Sequence, residues 1–162
     1  MSKLFRVLII DDQKEVTDRV SNICQKNLSA SLKGQVKVEV DSLYVEIIST
    51  KQGEFQISDG TIETLIKLSS KEFDYIFTDF GFVANNTVYE SLPLDEVGEI
   101  DPTSLSGKVF TPADLVLKAK EFIEKKKNKA TKKLQSNFLE FKGGLSLYSY
   151  WDKRFSKVYH SL

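Results

Sequence analysis

The sequence predicts an α/β fold in which a parallel sheet carries helices on both faces. Two apolar runs typical of buried strands, Phe5–Ile10 and Tyr75–Phe77, are separated by helical patterns and by an alternating strand at Val36–Val40. This β-α-β-α-β order favours parallel strands joined by right-handed crossovers. The chain has 162 residues, 41% of them hydrophobic, which predicts a single domain over 1–162 with one sizeable core.

Composition excludes several classes of protein. The 23 basic and 23 acidic residues cancel, so no overall field attracts nucleic acid or an anionic membrane. Cys24 is the only cysteine, which excludes an internal disulfide and a cysteine-based metal site. The apolar run near the N-terminus is too short for a signal peptide, and no segment has the length of a membrane span. We therefore expect a soluble, cytoplasmic protein.

The first strand, Phe5–Ile10, runs directly into the paired acids Asp11 and Asp12. Apolar residues at helical spacing follow, which predicts an amphipathic helix packed on the sheet. They are Val16, Val20, Ile23, Cys24 and Leu28. Since Cys24 lies on this stripe, we expect its thiol to be buried rather than reactive.

An edge strand, a hairpin and a second helix are predicted before the next buried strand. Val36–Val40 alternates apolar and charged residues, the pattern of a half-exposed strand at a sheet edge. Two extended segments around a polar turn predict an inserted hairpin over about 44–58. The helix is predicted over 59–71, with either Asp59 or Thr61 as its N-cap.

The third strand, Tyr75–Phe77, leads into Asp79. If this strand is parallel and adjacent to the first, Asp79 meets Asp11 and Asp12 at the carboxyl edge of the sheet, where ligands collect in open parallel sheets. Two like charges about 4 Å apart repel by about 4 kcal/mol, so the cluster needs a cation or a raised pKa. A small number of carboxylate oxygens without His or Cys favours Mg²⁺ over a caged Ca²⁺ or over Zn²⁺.

No regular element is predicted over 83–108. Proline and glycine interrupt this stretch, and its charged residues before Lys108 are all acidic. They are Glu90, Asp95, Glu96, Glu99 and Asp101. Loops of this length in compact domains are usually functional or disordered, so a lid, a partner-binding surface and a solvated insertion all stay open.

A third helix is predicted to begin at Thr111, with Thr111 as the N-cap and Pro112 at the first helical position. Lysines crowd its far end, where the helix dipole favours cations. They are Lys125, Lys126, Lys127, Lys129, Lys132 and Lys133. Because aromatic residues do not alternate with these lysines and the whole chain is neutral, a solvated helix end is favoured over a patch that binds phosphate or an acidic partner. The acidic stretch over 83–108 is an equally available partner for these lysines.

The segments VLIIDDQKEV and FDYIFTDF together resemble the receiver domain of two-component response regulators. In that family an acidic pair follows the first strand and a phosphoacceptor aspartate follows the third. The resemblance implies a flavodoxin-like, receiver-like domain that acts as a signalling phosphoacceptor rather than as a turnover enzyme, although autophosphatase activity is compatible with it. The implied partner is a histidine kinase or phosphotransfer protein, and a homodimer is compatible with it.

Residue roles follow from the same resemblance. Asp79 would accept the phosphoryl group, and Asp11, Asp12 and Asp79 would bind Mg²⁺ with the backbone carbonyl of Gly81 as a further ligand. The family also has a hydroxyl after its fourth strand that turns toward the phosphoryl group. Ser149 is the best candidate for it and Ser146 is the alternative, because strands are predicted at 138–141 and 145–151.

The chain departs from the family pattern near its end. A receiver has one more strand, with a lysine that contacts the phosphoryl group, and a final helix, but only thirteen residues follow Ser149. The alternative is therefore a degenerate receiver-like domain that docks partners without phosphorylation. A third reading, a haloacid-dehalogenase-like phosphatase, ranks last because that family has a second Asp two positions after the nucleophile, where this chain has Gln13 or Gly81.

Overall fold

The structure is a computed structural model that describes residues 3–31, 35–79, 81–84, 88 and 90–126, and the backbone of 144–148. Its strands are β1 (Lys3–Asp11), β2 (Val36–Tyr44), β3 (Ile47–Ser49), β4 (Phe55–Ile57), β5 (Tyr75–Asp79), β6 (Phe82–Val83), β7 (Val109–Phe110) and β8 (Gly144–Tyr148). Its helices are α1 (Lys14–Ser31), α2 (Asp59–Leu68), α3 (Pro112–Lys126) and a 3-10 helix at Pro102–Leu105.

The predicted parallel sheet is confirmed. Its order is β2-β1-β5-β8, and every neighbouring pair is parallel, with β2 at the predicted edge. Strands β1 and β5 are aligned so that Ile10 lies opposite Thr78, and β5 and β8 are aligned so that Asp79 lies opposite Tyr148. This order is compatible with a flavodoxin-like fold, but the described part of the chain has three α-helices, too few for a complete receiver fold.

The main core lies on one face of this sheet. Leu8 and Ile10 of β1 pack there with buried residues of α2 and α3, including Ile62 and Leu115. The alternate residues of β1 are also buried and point to the other face, because side chains alternate along a strand, and α1 contacts β1 and β2. Helices on both faces were predicted, and the described part has them.

In the first half of the chain the predicted hairpin is confirmed, and two other details differ from expectation. The hairpin is present as β3 paired antiparallel with β4, within the predicted range. The N-cap of α2 is Ser58, whose hydroxyl accepts the Thr61 N–H at 3.1 Å, so the prediction of Asp59 or Thr61 was wrong. Cys24 is half-buried rather than fully enclosed, and its burial raises the pKa of its thiol.

The prediction of an irregular stretch over 83–108 was wrong in part. β6 and β7 pair antiparallel and form a two-stranded ribbon at the base of this stretch. A second, smaller core lies beyond the ribbon and consists of Val83, Leu92, Ile100, Leu105 and Val109. The apolar residues are spaced too irregularly for a helix or a strand, yet they are buried together. We call residues 82–110 the insertion.

The start of α3 is as predicted. Thr111 accepts the Asp114 N–H through its hydroxyl at 3.3 Å, and the Asp114 carboxylate accepts the Thr111 N–H at 2.8 Å. The lysines at 127–133 and the predicted strand at 138–141 lie outside the described residues. Among the described helices, none combines the length and the apolar character needed to cross a membrane.

Candidate metal centre

Asp11 is the last residue of β1 and is almost fully buried, at 1% exposure. Its backbone carbonyl accepts the Val45 N–H at 2.7 Å, which continues the pairing of β1 with the segment after β2. Its Oδ1 accepts the Gln13 N–H at 2.8 Å as the chain turns into α1. These bonds fix the position of the Asp11 carboxylate at the carboxyl edge of the sheet.

Asp12 follows outside the strand and points toward the insertion. Its Oδ2 accepts the Val83 N–H at 2.8 Å. Its Oδ1 is buried and has no hydrogen-bond partner within the described part of the chain. A buried oxygen left without a donor is costly unless a proton or a cation occupies its lone pairs.

Asp79 ends β5, the neighbour of β1, and is 3% exposed. Its Oδ1 lies 3.4 Å from the Gly81 N–H, which donates to it. Its own carbonyl accepts the Thr78 hydroxyl at 2.8 Å. The prediction that Asp79 lies where the third parallel strand ends is confirmed by these positions.

The carboxylates of Asp11, Asp12 and Asp79 converge. Each offers an oxygen, and these oxygens lie within 4.8 Å of one another. The pKa of Asp12 is raised to about 7, chiefly by burial and also by the negative charge of Asp11, while the hydrogen bond from the Val83 N–H opposes the shift. Near neutral pH the protonated and ionised forms of Asp12 are therefore both populated, and a cation would favour the ionised form.

The donor set fits a hard divalent cation. All three side chains offer only oxygen, and the unpartnered Asp12 Oδ1 supplies a free ligand position. The arrangement does not distinguish Mg²⁺ from other hard cations, because carboxylate oxygens bind several of them. The geometry of these three residues thus supports the prediction of an acidic group that can bind a metal ion.

Other predicted site residues fall partly outside what the structure describes. Gly81 is buried beside Asp79, with its N–H toward the Asp79 carboxylate. Ser149 lies outside the described residues, although β8 ends at Tyr148 beside Asp79. No local pattern in the sequence indicates that the Val83 N–H donates to Asp12, because that contact depends on how the insertion folds.

The comparisons with known proteins add no relative. No protein-family model matches the chain, and no match is found among curated proteins or solved structures. The positions of Asp11, Asp12 and Asp79 are therefore the main guide to function.

Proposed function

We propose that the protein is a divergent receiver-like phosphoacceptor of a phosphorelay. In this proposal Asp79 takes a phosphoryl group from a histidine kinase or phosphotransfer partner. Asp11, Asp12 and Asp79 hold Mg²⁺, with the Gly81 carbonyl as a further ligand. The observation that carries the proposal is the convergence of the three carboxylates, within 4.8 Å, at the ends of adjacent parallel strands.

The sheet order supports the same proposal. β2-β1-β5-β8 places the strand that ends at Asp79 directly beside the strand that ends at Asp11. A flavodoxin-like sheet binds its ligand at this edge, outside the carboxyl ends of the strands. The acidic residues and the topology thus favour one location for the chemistry.

The proposed reaction needs only one nucleophile. A carboxylate oxygen of Asp79 attacks the phosphorus of the donor, the new P–O bond forms, and the P–N bond to the donor histidine breaks. The histidine nitrogen retains the electron pair of the broken bond. Mg²⁺, when bound, would neutralise the charge that develops on the phosphoryl oxygens. The Gly81 N–H already donates toward the Asp79 carboxylate and helps to orient it.

The first test is phosphorylation with acetyl phosphate and Mg²⁺, followed by intact-mass measurement. We expect the wild type to gain one phosphoryl group and Asp79→Asn to gain none. Asp59→Asn is the matched control, because Asp59 is an exposed aspartate in the first turn of α2 and lies outside the cluster. It should react as the wild type does.

Titration with Mg²⁺ separates the two parts of the proposal. Metal binding without a gain in mass would retain the cation site and reject Asp79 as a phosphoacceptor. Equal labelling of the wild type and Asp79→Asn would place the phosphoryl group elsewhere. A wild type that neither binds Mg²⁺ nor gains a phosphoryl group would contradict the whole proposal.

Two observations favour a second function, a receiver-like docking module that is not phosphorylated. Asp79 is only 3% exposed, so a phosphodonor reaches it only after the neighbouring chain moves. The insertion also exposes Leu94 and Val97, at 49% and 75%, among acidic residues. If this function is right, a pull-down with the wild type captures a partner that Leu94→Ser/Val97→Ser loses and Asp79→Asn retains.

A further inference from the structure

β2 is a nine-residue strand at the edge of the sheet. Two hydrogen bonds fix which of its backbone groups point outward. The Val45 N–H donates to the Asp11 carbonyl of the neighbouring segment, so odd-numbered residues along this stretch face β1. The Val38 carbonyl accepts the Gln25 side-chain amide at 2.9 Å instead, so even-numbered residues face away from the sheet.

Most of the outward backbone groups of β2 have no partner among the residues that the structure describes. Gln25 occupies the Val38 carbonyl, whereas the outward backbone groups of Val36, Val40 and Ser42 have no hydrogen-bond partner within the described residues. A long edge with free N–H and C=O groups is a template for pairing with another strand. Charges of a single sign along such an edge would repel a second copy, so the sign of each charge matters.

The charged residues of β2 alternate with its valines and carry both signs. Lys37 is exposed and makes no ion pair within the described part of the chain. Glu39 lies two positions further on the same face of the strand and accepts a hydrogen bond from Lys71 at 3.1 Å. That bond lowers the pKa of Glu39, which keeps it negative near neutral pH.

We propose that β2 pairs antiparallel with β2 of a second copy of this chain, with the two-fold axis at Val38. In this register the numbers of two opposite residues always add up to 76. Lys37 of each copy therefore lies opposite Glu39 of the other copy, which gives two such pairs. On the other face it places Val38 opposite Val38, and Val36 opposite Val40. Opposite charges and β-branched residues directly across an antiparallel pair both stabilise it. The two four-stranded sheets become one continuous sheet, and the Gln25 amide leaves the Val38 carbonyl.

Neighbouring registers are less favourable. An axis at Glu39 places Lys37 opposite Asp41, twice, but it also places the two copies of Glu39 opposite each other and leaves Val36 opposite Ser42. An axis at Val40 places Glu39 opposite Asp41, twice. Like charges directly across a pair destabilise it, so only the axis at Val38 combines attraction of the charged residues with pairing of all three valines. A two-fold axis between two residues would place each even-numbered residue opposite an odd-numbered residue. The outward backbone N–H and C=O groups of one copy would then face residues whose own groups point toward β1, and no hydrogen-bond ladder would form.

A charge exchange tests this register. We expect sedimentation velocity over a concentration series to show a dimer for the wild type. Lys37→Glu and Glu39→Lys each place like charges across the axis twice, so each variant alone should raise the dimer dissociation constant by about tenfold or more. An equimolar mixture of the two variants restores both opposite-charge pairs and should dimerise as the wild type does.

The backbone is tested with Val40→Pro. Its N–H points outward, so proline removes hydrogen bonds across the axis while the pairing of β2 with β1 is retained. We expect a monomer whose thermal unfolding stays close to that of the wild type. Lys51→Glu, in the exposed turn between β3 and β4, is the control for a charge change away from the edge and should still dimerise.

Three results would overturn the proposal. One is a wild type that stays monomeric at its highest soluble concentration. Another is Glu39→Lys dimerising on its own as strongly as the wild type, which would instead indicate an axis at Glu39, where the substitution only replaces one pair of like charges with another. The third is a folded Val40→Pro variant that dimerises unchanged, since the pairing would then not use the β2 edge.

Discussion

The molecule has two apolar cores of different size and origin, and the candidate site lies where they meet. The main core joins the parallel sheet to α2 and α3, whereas the small core holds only residues of the insertion. The β6–β7 ribbon belongs to both. Phe82 is fully buried in the main core, and its neighbour Val83 is buried in the small core, because adjacent residues of a strand point to opposite faces.

Asp12 connects this ribbon to the site. Its carboxylate accepts the Val83 N–H, so a residue of the acidic cluster holds the first strand of the insertion in place. The sheet thus provides the positions of Asp11 and Asp79, while the insertion provides a hydrogen-bond donor to Asp12. Changes in each core should therefore have different effects on the site.

The largest expected effect is in the main core. Ile62 is fully buried in α2, so Ile62→Ala leaves a cavity and should lower the free energy of unfolding by about 2–5 kcal/mol. Urea unfolding followed by circular dichroism measures this loss. Because the main core contains residues of β1, β2 and β5, the whole chain should unfold at lower urea in one step. Unchanged stability would show that this core does not hold the fold together.

The next effect concerns Asp12, which connects the insertion to the acidic cluster, and it depends on pH. The pKa of Asp12 is raised from 3.8 to about 7 in the folded chain. Between these two pH values the Asp12 carboxyl is therefore mostly protonated in the folded chain and mostly ionised in the unfolded chain. Without metal, the contribution of Asp12 to stability should decline as the pH rises from about 4 to about 7 and then stay constant. The total decline is about 2–4 kcal/mol, allowing for the partial exposure of Asp12.

Urea unfolding at pH 5 and pH 8, with and without Mg²⁺, measures this dependence. Mg²⁺ binds the ionised carboxylates, so it should stabilise the wild type more at pH 8 than at pH 5. Asp12→Asn has no proton to lose and should show a smaller decline between the two values. An equal decline in the wild type and in Asp12→Asn would assign the pH dependence to other groups.

The smallest effect is expected in the small core. Ile100 is fully buried there, but Ile100→Ala weakens only the insertion, and the global loss is limited by the free energy of opening the insertion itself. We expect a global loss of about 1–2 kcal/mol, below that of Ile62→Ala. Hydrogen exchange should increase over 82–110 while β1 and β5 stay protected. Faster exchange throughout the sheet would show that the two cores unfold as one.

The sequence alone predicted the elements whose signals are local or strongly periodic. The apolar runs that end at Asp11 and Asp79 predicted both strands, and parallel pairing of adjacent strands brought the acids together. Thr111 and Pro112 predicted the start of α3 in the same way.

The missed features depend on contacts between residues far apart in the chain. The pairing of Val83 with Val109 joins segments separated by prolines, glycines and acidic residues, so no local pattern reveals it. Ser58 was missed as the cap of α2 because Asp59 and Thr61 beside it are equally suitable by residue type. The backbone geometry at Ser58, which is extended, decides which of the three caps the helix.

The ribbon also determines how freely this protein can change in length. Phe82 and Phe110 are cross-strand partners, so the chain leaves the main body and returns to it at neighbouring positions. Residues can be added or removed between those points without displacing the sheet, and the entropy of closing the connection grows only slowly with its length. A short turn joining β6 to β7 would satisfy the same geometry. The insertion is thus a place where related chains can gain or lose a surface while the acidic cluster stays where the parallel strands put it.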